Sequence, residues 1–467
     1  MARRITSVSQ LALLPTQKIP STSQWLPVHE PNDKEDTDYY PVKLEETFKN
    51  GKYKVIRKLS QGRDSTWWLA SDKTRKSKYV AIKILTVTAS KTIAEELSVL
   101  EHLSHKVVRG VHGRNVLLLV THFIQKGLSG DHQCLVFDPI TESVEEVEGR
   151  FPDPQSPILA YEQLPQVRFP LSISKAVLGE TLRGLRHIHR KQVVHGDLHS
   201  GKIFLVPNGL ETFKEDAIRA HEEKYIIKAR TGEGEQDILV ENSLHEFVNF
   251  DRPLHAKVGG FGCAYQYDKP RYSETVRPDI RAPEVILGEH FDDPTLECSR
   301  DIWSFGCLMY EVLTGDRLFF IEFEEYRPTP ENMDDAFLIA MHRTIGPLPN
   351  NILNRWSRTH LYFNSEGVLI DSETGEDEMA DIDWERAGNG YDPDALAQDS
   401  LRHAVSLEHR FRKNAPSELK EPALSDIVTL LQRILVYDPS LRPTVQQLQE
   451  HYLLSEAPSK YDPCCKF

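Results

Sequence analysis

Along the chain, apolar positions first alternate and then fall into helical spacing. Tyr53-Lys-Val-Ile-Arg-Lys-Leu59 alternates. Thr66 to Ala70, Tyr79 to Leu85, Val116 to Phe123 and Gln133 to Phe137 are rich in β-branched and aromatic residues, which predicts five strands in all. Between the third and fourth, Ile93, Leu97 and Leu100 recur at i, i+4 and i+7, one face of a helix. These elements predict a small, mostly β lobe with one helix, ending near Phe137. Beyond Leu171 helical spacing takes over. Leu178, Leu182 and Leu185 share a face, and Ile427, Leu430, Leu431 and Ile434 mark another helix. Asp301 to Thr314 is apolar nearly all round, which predicts a helix buried on every side, with Gly315 as its C-terminal stop. Pro207 to Arg252 is polar, carries Gly232 and Gly234, and reads as an inserted surface segment. No internal repeat is visible. The expected architecture is α+β and two-lobed. Residues 1–38 are expected to be a disordered tail, 39–140 the small lobe and hinge, 141–454 the mainly α lobe with an insertion at about 207–252, and 455–467 a terminal tail.

Composition narrows the function. The 467 residues carry 56 Lys and Arg against 70 Asp and Glu, a net charge of −14. Reading a phosphate backbone needs a basic face, so nucleic acid is not an expected partner, while a basic protein is. The longest aliphatic run, Val116 to Val120, is far too short for a membrane span, and no membrane association is expected. None of the six cysteines forms a C-x-x-C pair, which argues against zinc and for a reducing compartment. In the terminal Cys464-Cys465-Lys466-Phe467, Lys466 is a poor middle residue for prenylation. Met1 to His29 holds no acid, with Arg3, Arg4 and Lys18, a weak likeness to a mitochondrial import segment. The negative charge is concentrated. Ile321 to Asp335 nets −5 through Glu322, Glu324, Glu325, Glu331, Asp334 and Asp335 against Arg327. Glu366 to Glu385 holds nine acids and no Lys or Arg, so the two runs together equal the net charge of the whole chain.

Several short motifs then fall in a telling order. Lys58 to Ala70 places Gly62 in a turn between two strands, where backbone N–H groups could approach phosphates. Val80-Ala81-Ile82-Lys83 follows on the third strand, and Glu96 on the next helix is a candidate partner for the lysine. Val193-Val194-His195-Gly196-Asp197-Leu198-His199 follows an apolar helix, and its aspartate could accept a hydroxyl proton as phosphoryl transfer begins. Ala256 to Ala264, Arg281-Ala-Pro-Glu284, Asp301-Ile-Trp-Ser-Phe-Gly306 and Leu441-Arg-Pro443 complete the set. Each is weak alone; their order and spacing are specific.

From these residues the chain is identified as resembling a eukaryotic protein kinase of the SR-protein-kinase-like group. Tyr39-Tyr-Pro-Val-Lys43 and Lys58 to Ala70 are similar to that group's segments, and the insertion falls where those kinases carry a spacer. The resemblance covers about Tyr39 to Leu454. It implies the bilobal protein-kinase fold, ATP as cofactor and an Arg-rich or Arg/Ser-rich protein as partner, docked in an acidic groove of the large lobe. It also implies a monomer in the cytoplasm or nucleus. Residue by residue, it makes Lys83 and Glu96 an ion pair and Asp197 the catalytic base. Phe137 becomes the gatekeeper, with Asp138 and Ile140 offering hinge backbone to adenine, and Gly62 and Ala81 join Lys83 at the nucleotide. Glu284 with Arg442 would brace the large lobe, and Asp301 would steady the catalytic loop. His195-Gly-Asp-Leu-His199 is also similar to small-molecule phosphotransferases, but those generally lack the later motifs.

Departures at five positions qualify this reading. The metal-binding Asp of D-F-G is Gly260, and the catalytic-loop Asn is Lys202. Magnesium requires oxygen ligands, which neither residue offers from its side chain, so magnesium is not expected at the usual positions. Ser60 replaces the first glycine of the turn. Trp67 replaces the valine that caps adenine and is expected either to fill the adenine slot or to rotate onto the lobe surface. Gly196 stands where many kinases have an Arg that SR-protein kinases lack as well. The expectation is a pseudokinase with weak or no ATP binding; the alternative is an active Ser/Thr kinase for Arg/Ser-rich proteins.

Overall fold

The computed structural model describes residues 38–74, 78–105, 113–148, 168–222, 226–231, 234–239, 243–250, 252–270, 276–289, 291, 293–321, 329–370, 405–451 and 454. Both expected tails and most of the two acidic runs lie outside the described residues. The chain divides into two compact units. The first is Met1–His195, Ser200–Gln266 and Gln449–Phe467; the second is Gly196–His199 and Tyr267–Leu448.

The first unit is built on a six-stranded antiparallel sheet. Its strands are β1 (Thr47–Phe48), β2 (Tyr53–Gly62), β3 (Ser65–Asp72), β4 (Tyr79–Leu85), β5 (Leu119–Lys126) and β6 (Asp131–Phe137), in the order β1-β2-β3-β4-β6-β5. Helices α1 (Val87–Thr92) and α2 (Ala94–Ser104) follow β4. The expected strand Val116–Phe123 begins later: Val116 makes only an isolated bridge to Val258. Alternation gives the sheet two apolar faces. Val55, Trp68, Ala70, Val80, Ile82 and Val136 point to one. Ile56, Leu59, Leu69, Tyr79 and Ala81 point to the other, here called the inner face. Register shifts between Val55 and Arg57 and between Lys58 and Ser60 interrupt the strict period of β2. A bulge sets two residues against one on the partner strand. Arg57 therefore pairs with Leu69 and turns inward, although simple alternation predicts the opposite face.

The unit continues through α3 (Val144–Glu148), α4 (Leu171–Arg190), β7 (Val193–Val194) and β8 (Ile203–Leu205). Next come α5 (Glu215–Glu222), the hairpin β9 (Ile226–Thr231) with β10 (Gly234–Leu239), β11 (Ala256–Val258) and β12 (Tyr265–Gln266). β8 pairs with β11, and β7 with β12. Leu178, Leu182 and Leu185 of α4 are buried, as their spacing predicts. The insertion corrects the sequence reading. Leu210, Ile218, Leu244 and Phe247 are buried in the same cluster as the inner face, so this segment is core on one side rather than surface throughout.

The second unit is helical: α6 (Pro283–Ile286), α7 (Ser299–Thr314), α8 (Pro330–Ile345), α9 (Asn350–Arg355), α10 (Leu407–Asn414), α11 (Ala423–Ile434) and α12 (Val445–Gln449), the last ending where the chain returns to the first unit. Every residue of α7 is buried, including Arg300 and Asp301, and α7 packs against α10 and α11. It ends at Gly315, whose φ of 78° is the left-handed stop the sequence predicts. Trp303 stacks on Phe319 at 6.0 Å between centroids.

Candidate nucleotide face and catalytic loop

In the first unit, β4 sets Ala81 and Lys83 on the inner face, and α2 brings Glu96 to 3.6 Å from the Lys83 ammonium. Neighbouring strands decide what lies above them. Trp67 of β3 pairs with Lys83, and Phe137 of β6 pairs with Ala81. The Trp67 indole stacks on the Phe137 ring, with centroids 5.5 Å apart at 30°. Because β4 runs between these two strands, the stack crosses over Ala81, whose single methyl leaves room for it. The Lys83 ammonium lies 5.9 Å from the indole centroid, within cation–π range. Of the two outcomes weighed for Trp67, the structure takes the inward one. Ala81 is 0 % and Phe137 3 % exposed, so both are packed over by the chain's own side chains. Asp138 pairs with Lys257 at 3.6 Å, and Ile140 is buried.

The turn over this face is tight. Gly62 pairs with Ser65, leaving Arg63 and Asp64 as a two-residue hairpin turn. The Tyr39 hydroxyl ties it down, 2.9 Å from the Gly62 carbonyl and 2.7 Å from that of Arg63. A Cβ added at Gly62 meets nothing within 4 Å, so local packing does not demand glycine there.

The two substituted metal positions touch. Gly260 has φ +77°, and a Cβ built on it falls 2.6 Å from Lys202 Cδ. The methylene stem of Lys202 thus packs against the bare backbone where an aspartate side chain would begin. A magnesium ion does not fit these residues: one has no side chain, and the other offers an ammonium where an oxygen ligand is needed. His195 secures the strand end, its Nε2 2.9 Å from the Gly259 carbonyl and its ring 5.2 Å from that of Phe261.

In the second unit, Asp197 is buried and accepts the Arg277 backbone N–H at 3.2 Å. The Arg277 guanidinium is held by Asp279 (2.7 and 2.9 Å) and Glu311 (3.1 Å), and lies 3.3 Å from His199 Nδ1. His199 Nε2 stands 3.8 Å from the other Asp197 oxygen. Sequence reading missed Arg277, because no local pattern marks it; only folding brings it to the loop. Asp301 accepts the Gly196 N–H at 2.9 Å. Glu284 and Arg442 form a buried bidentate pair at 2.6 and 2.8 Å, with the guanidinium 5.0 Å from the Trp303 ring.

The acidic runs are only partly visible. Glu322, Glu324, Glu325 and residues 371–385 lie outside the described residues. Of the rest, Asp334 pairs with Arg281 at 3.1 Å. Asp335 is buried, accepting Trp356 Nε1 at 2.7 Å and the Tyr362 hydroxyl at 3.0 Å while pairing with Arg358 at 2.9 Å. Asp335 is therefore a brace of the helical unit and not an acidic docking residue, as its place in the run suggested.

This geometry can be set beside known proteins. The protein kinase domain family matches residues 235–454. A serine/threonine-protein kinase SRPK of Physarum polycephalum is 25 % identical over 442 residues, spanning 90 % of this chain and 89 % of its own length. The chain is thus similar to SRPK-type protein kinases over most of its length, and its second half matches the protein kinase domain. A serine/threonine protein kinase of Aspergillus fumigatus is 28 % identical over 339 residues, covering 70 % of this chain and 73 % of its own. SKY1 of Saccharomyces cerevisiae is 29 % identical over 40 % of this chain and 24 % of its own length. The crystal structure of a kinase domain superposes with a TM-score of 0.55 at 22 % identity, covering 89 % of this chain and 99 % of that one, which shows the fold. The α+β, bilobal protein-kinase class expected from the motifs is the class observed.

Proposed function

We propose that this SRPK-like chain is a pseudokinase: it binds an Arg-rich protein partner through its acidic large-lobe segments and does not carry out magnesium-dependent phosphoryl transfer. The observation that carries the reading is the packing of Lys202 on Gly260. Phosphoryl transfer depends on positioning and on metal neutralisation of developing charge, worth several kcal/mol. At about 1.4 kcal/mol per tenfold in rate, its loss removes several decades. The Trp67–Phe137 stack adds a steric reason for weak adenine binding. A second reading, an active kinase, draws on the Lys83–Glu96 pair and the positioned Asp197 carboxylate. The partner class rests on the acidic runs and on the family.

Thermal-shift titration with ATP, with and without magnesium, is the test, together with phosphate transfer to an Arg/Ser peptide. The wild type should show no magnesium-dependent shift. Gly260→Asp alone should not restore one, because its Cβ would meet Lys202; Gly260→Asp with Lys202→Asn should, and adding Trp67→Val should strengthen it. A magnesium-dependent shift in the wild type, with transfer abolished by Asp197→Ala, would sink the proposal in favour of the active kinase. For the partner, Glu324→Ala with Glu325→Ala should weaken binding of an Arg/Ser peptide and flatten its salt dependence.

A further inference from the structure

The inserted segment meets the sheet through more than apolar contact. Arg57, turned inward by the bulge of β2, is 0 % exposed. Its guanidinium donates to Glu246 Oε1 at 2.7 Å and to the Ser243 carbonyl at 2.6 Å. On the other flank, the Tyr79 hydroxyl of β4 donates to the Phe213 carbonyl at 2.9 Å, and Lys54 pairs with Glu215 at 2.9 Å. Arg219 pairs with Glu45. Between these polar ties lie Leu210, Ile218, Leu244 and Phe247, clustered with Ile56, Leu59, Leu69, Tyr79 and Ala81.

We propose that the insert is an intramolecular latch on the small sheet. Its flanks, Leu210–Arg219 and Ser243–Phe247, close the inner face of β2 to β4, and the Arg57–Glu246 pair is the catch. A buried guanidinium that loses its carboxylate keeps its desolvation cost without its compensation. Removing the Glu246 carboxylate while the Ser243–Phe247 flank stays in place therefore disfavours the closed arrangement, and release of the flank returns Arg57 to water and exposes the apolar face. A partner or modification that takes up Glu246 would open the face that Ala81 and Leu59 line. The latch governs that face whether or not the chain transfers phosphate, so it does not rest on the proposed function.

Hydrogen exchange on the full chain, without nucleotide, reads the latch directly. Glu246→Ala should raise exchange at least tenfold in peptides covering 53–62 and 79–85, while 299–314 in the second unit keeps its protection. Arg57→Met with Glu246→Leu, which replaces the pair by apolar groups, should stay protected throughout. Unchanged exchange in 53–62 and 79–85 of Glu246→Ala would overturn the proposal. Should that variant lose protection at 299–314 as well, Phe247→Ala is read in its place, since it removes apolar cover but no charge. Opening confined to β2 and β4 supports the latch, whereas uniform loss or no change overturns it. Because no nucleotide enters, this outcome is separate from that of the metal-position test.

Discussion

The inner face of the first unit and the α7 region of the second divide the kinase motifs between them. In the second unit the bracing residues meet at hydrogen-bond distance: Glu284 with Arg442, Asp301 with Gly196, Arg277 with Asp279 and Glu311. In the first unit Lys83 keeps Glu96 in reach, yet the positions around them hold an indole, an ammonium stem and a bare backbone. The difference teaches that bracing and chemistry rest on separate residues. A helical scaffold can be complete while the oxygen ligands that would hold a metal are gone, because Gly260 and Lys202 pack well together without one.

Breaking the scaffold should cost more than altering any single position on the nucleotide face. Arg442→Ala leaves Glu284 charged and buried, and should lower unfolding free energy by about 3–5 kcal/mol in urea titrations followed by tryptophan fluorescence. A loss under about 1 kcal/mol would mean that the pair braces nothing. Acid should also act on the helical unit. Burial holds His342 down at about 4, where its Nδ1 accepts the Leu348 N–H at 3.2 Å. The unfolded chain, with an ordinary histidine value near 6.5, binds the proton more readily. Stability from this group is therefore complete above about pH 6.5 and lost as pH falls toward 4, by about 3 kcal/mol. His342→Gln should remove that share of the pH slope, and an unchanged slope would refute the assignment. The smallest effect separates two neighbours in one acidic run. Asp335→Ala strands Trp356 Nε1 and the Tyr362 hydroxyl and should cost about 2 kcal/mol. Exposed Glu331→Ala should stay within about 0.5 kcal/mol. Equal costs would erase the distinction between brace and surface.

Much of the fold was readable beforehand. The all-round apolar stretch became the fully buried α7, and the i, i+4, i+7 leucines of α4 lie buried as their spacing required. The pairing of Lys83 with Glu96, implied by the kinase resemblance, is present at 3.6 Å. Harder to read was anything that depended on a third element. The polar insertion gave no sign that Leu210, Ile218, Leu244 and Phe247 would share one cluster, because they lie far apart in sequence and follow no common period. Strict alternation would keep Arg57 on the face of Val55, and a bulge turns it onto the other. Asp335 looked like its acidic neighbours until Trp356 and Tyr362 reached it.

Residue type and order alone give the likeness to protein kinases, the phase of the main helices, and the chemical poverty of the metal positions. A glycine has no oxygen to offer and a lysine carries the wrong charge in any conformation. Tertiary structure alone decides the rest: that Trp67 turns inward onto Phe137, that Lys202 lies against Gly260, and that the insertion closes over the sheet. These are choices among rotamers, registers and distant contacts that are locally near-equal in energy. Only the packing of the whole unit separates them.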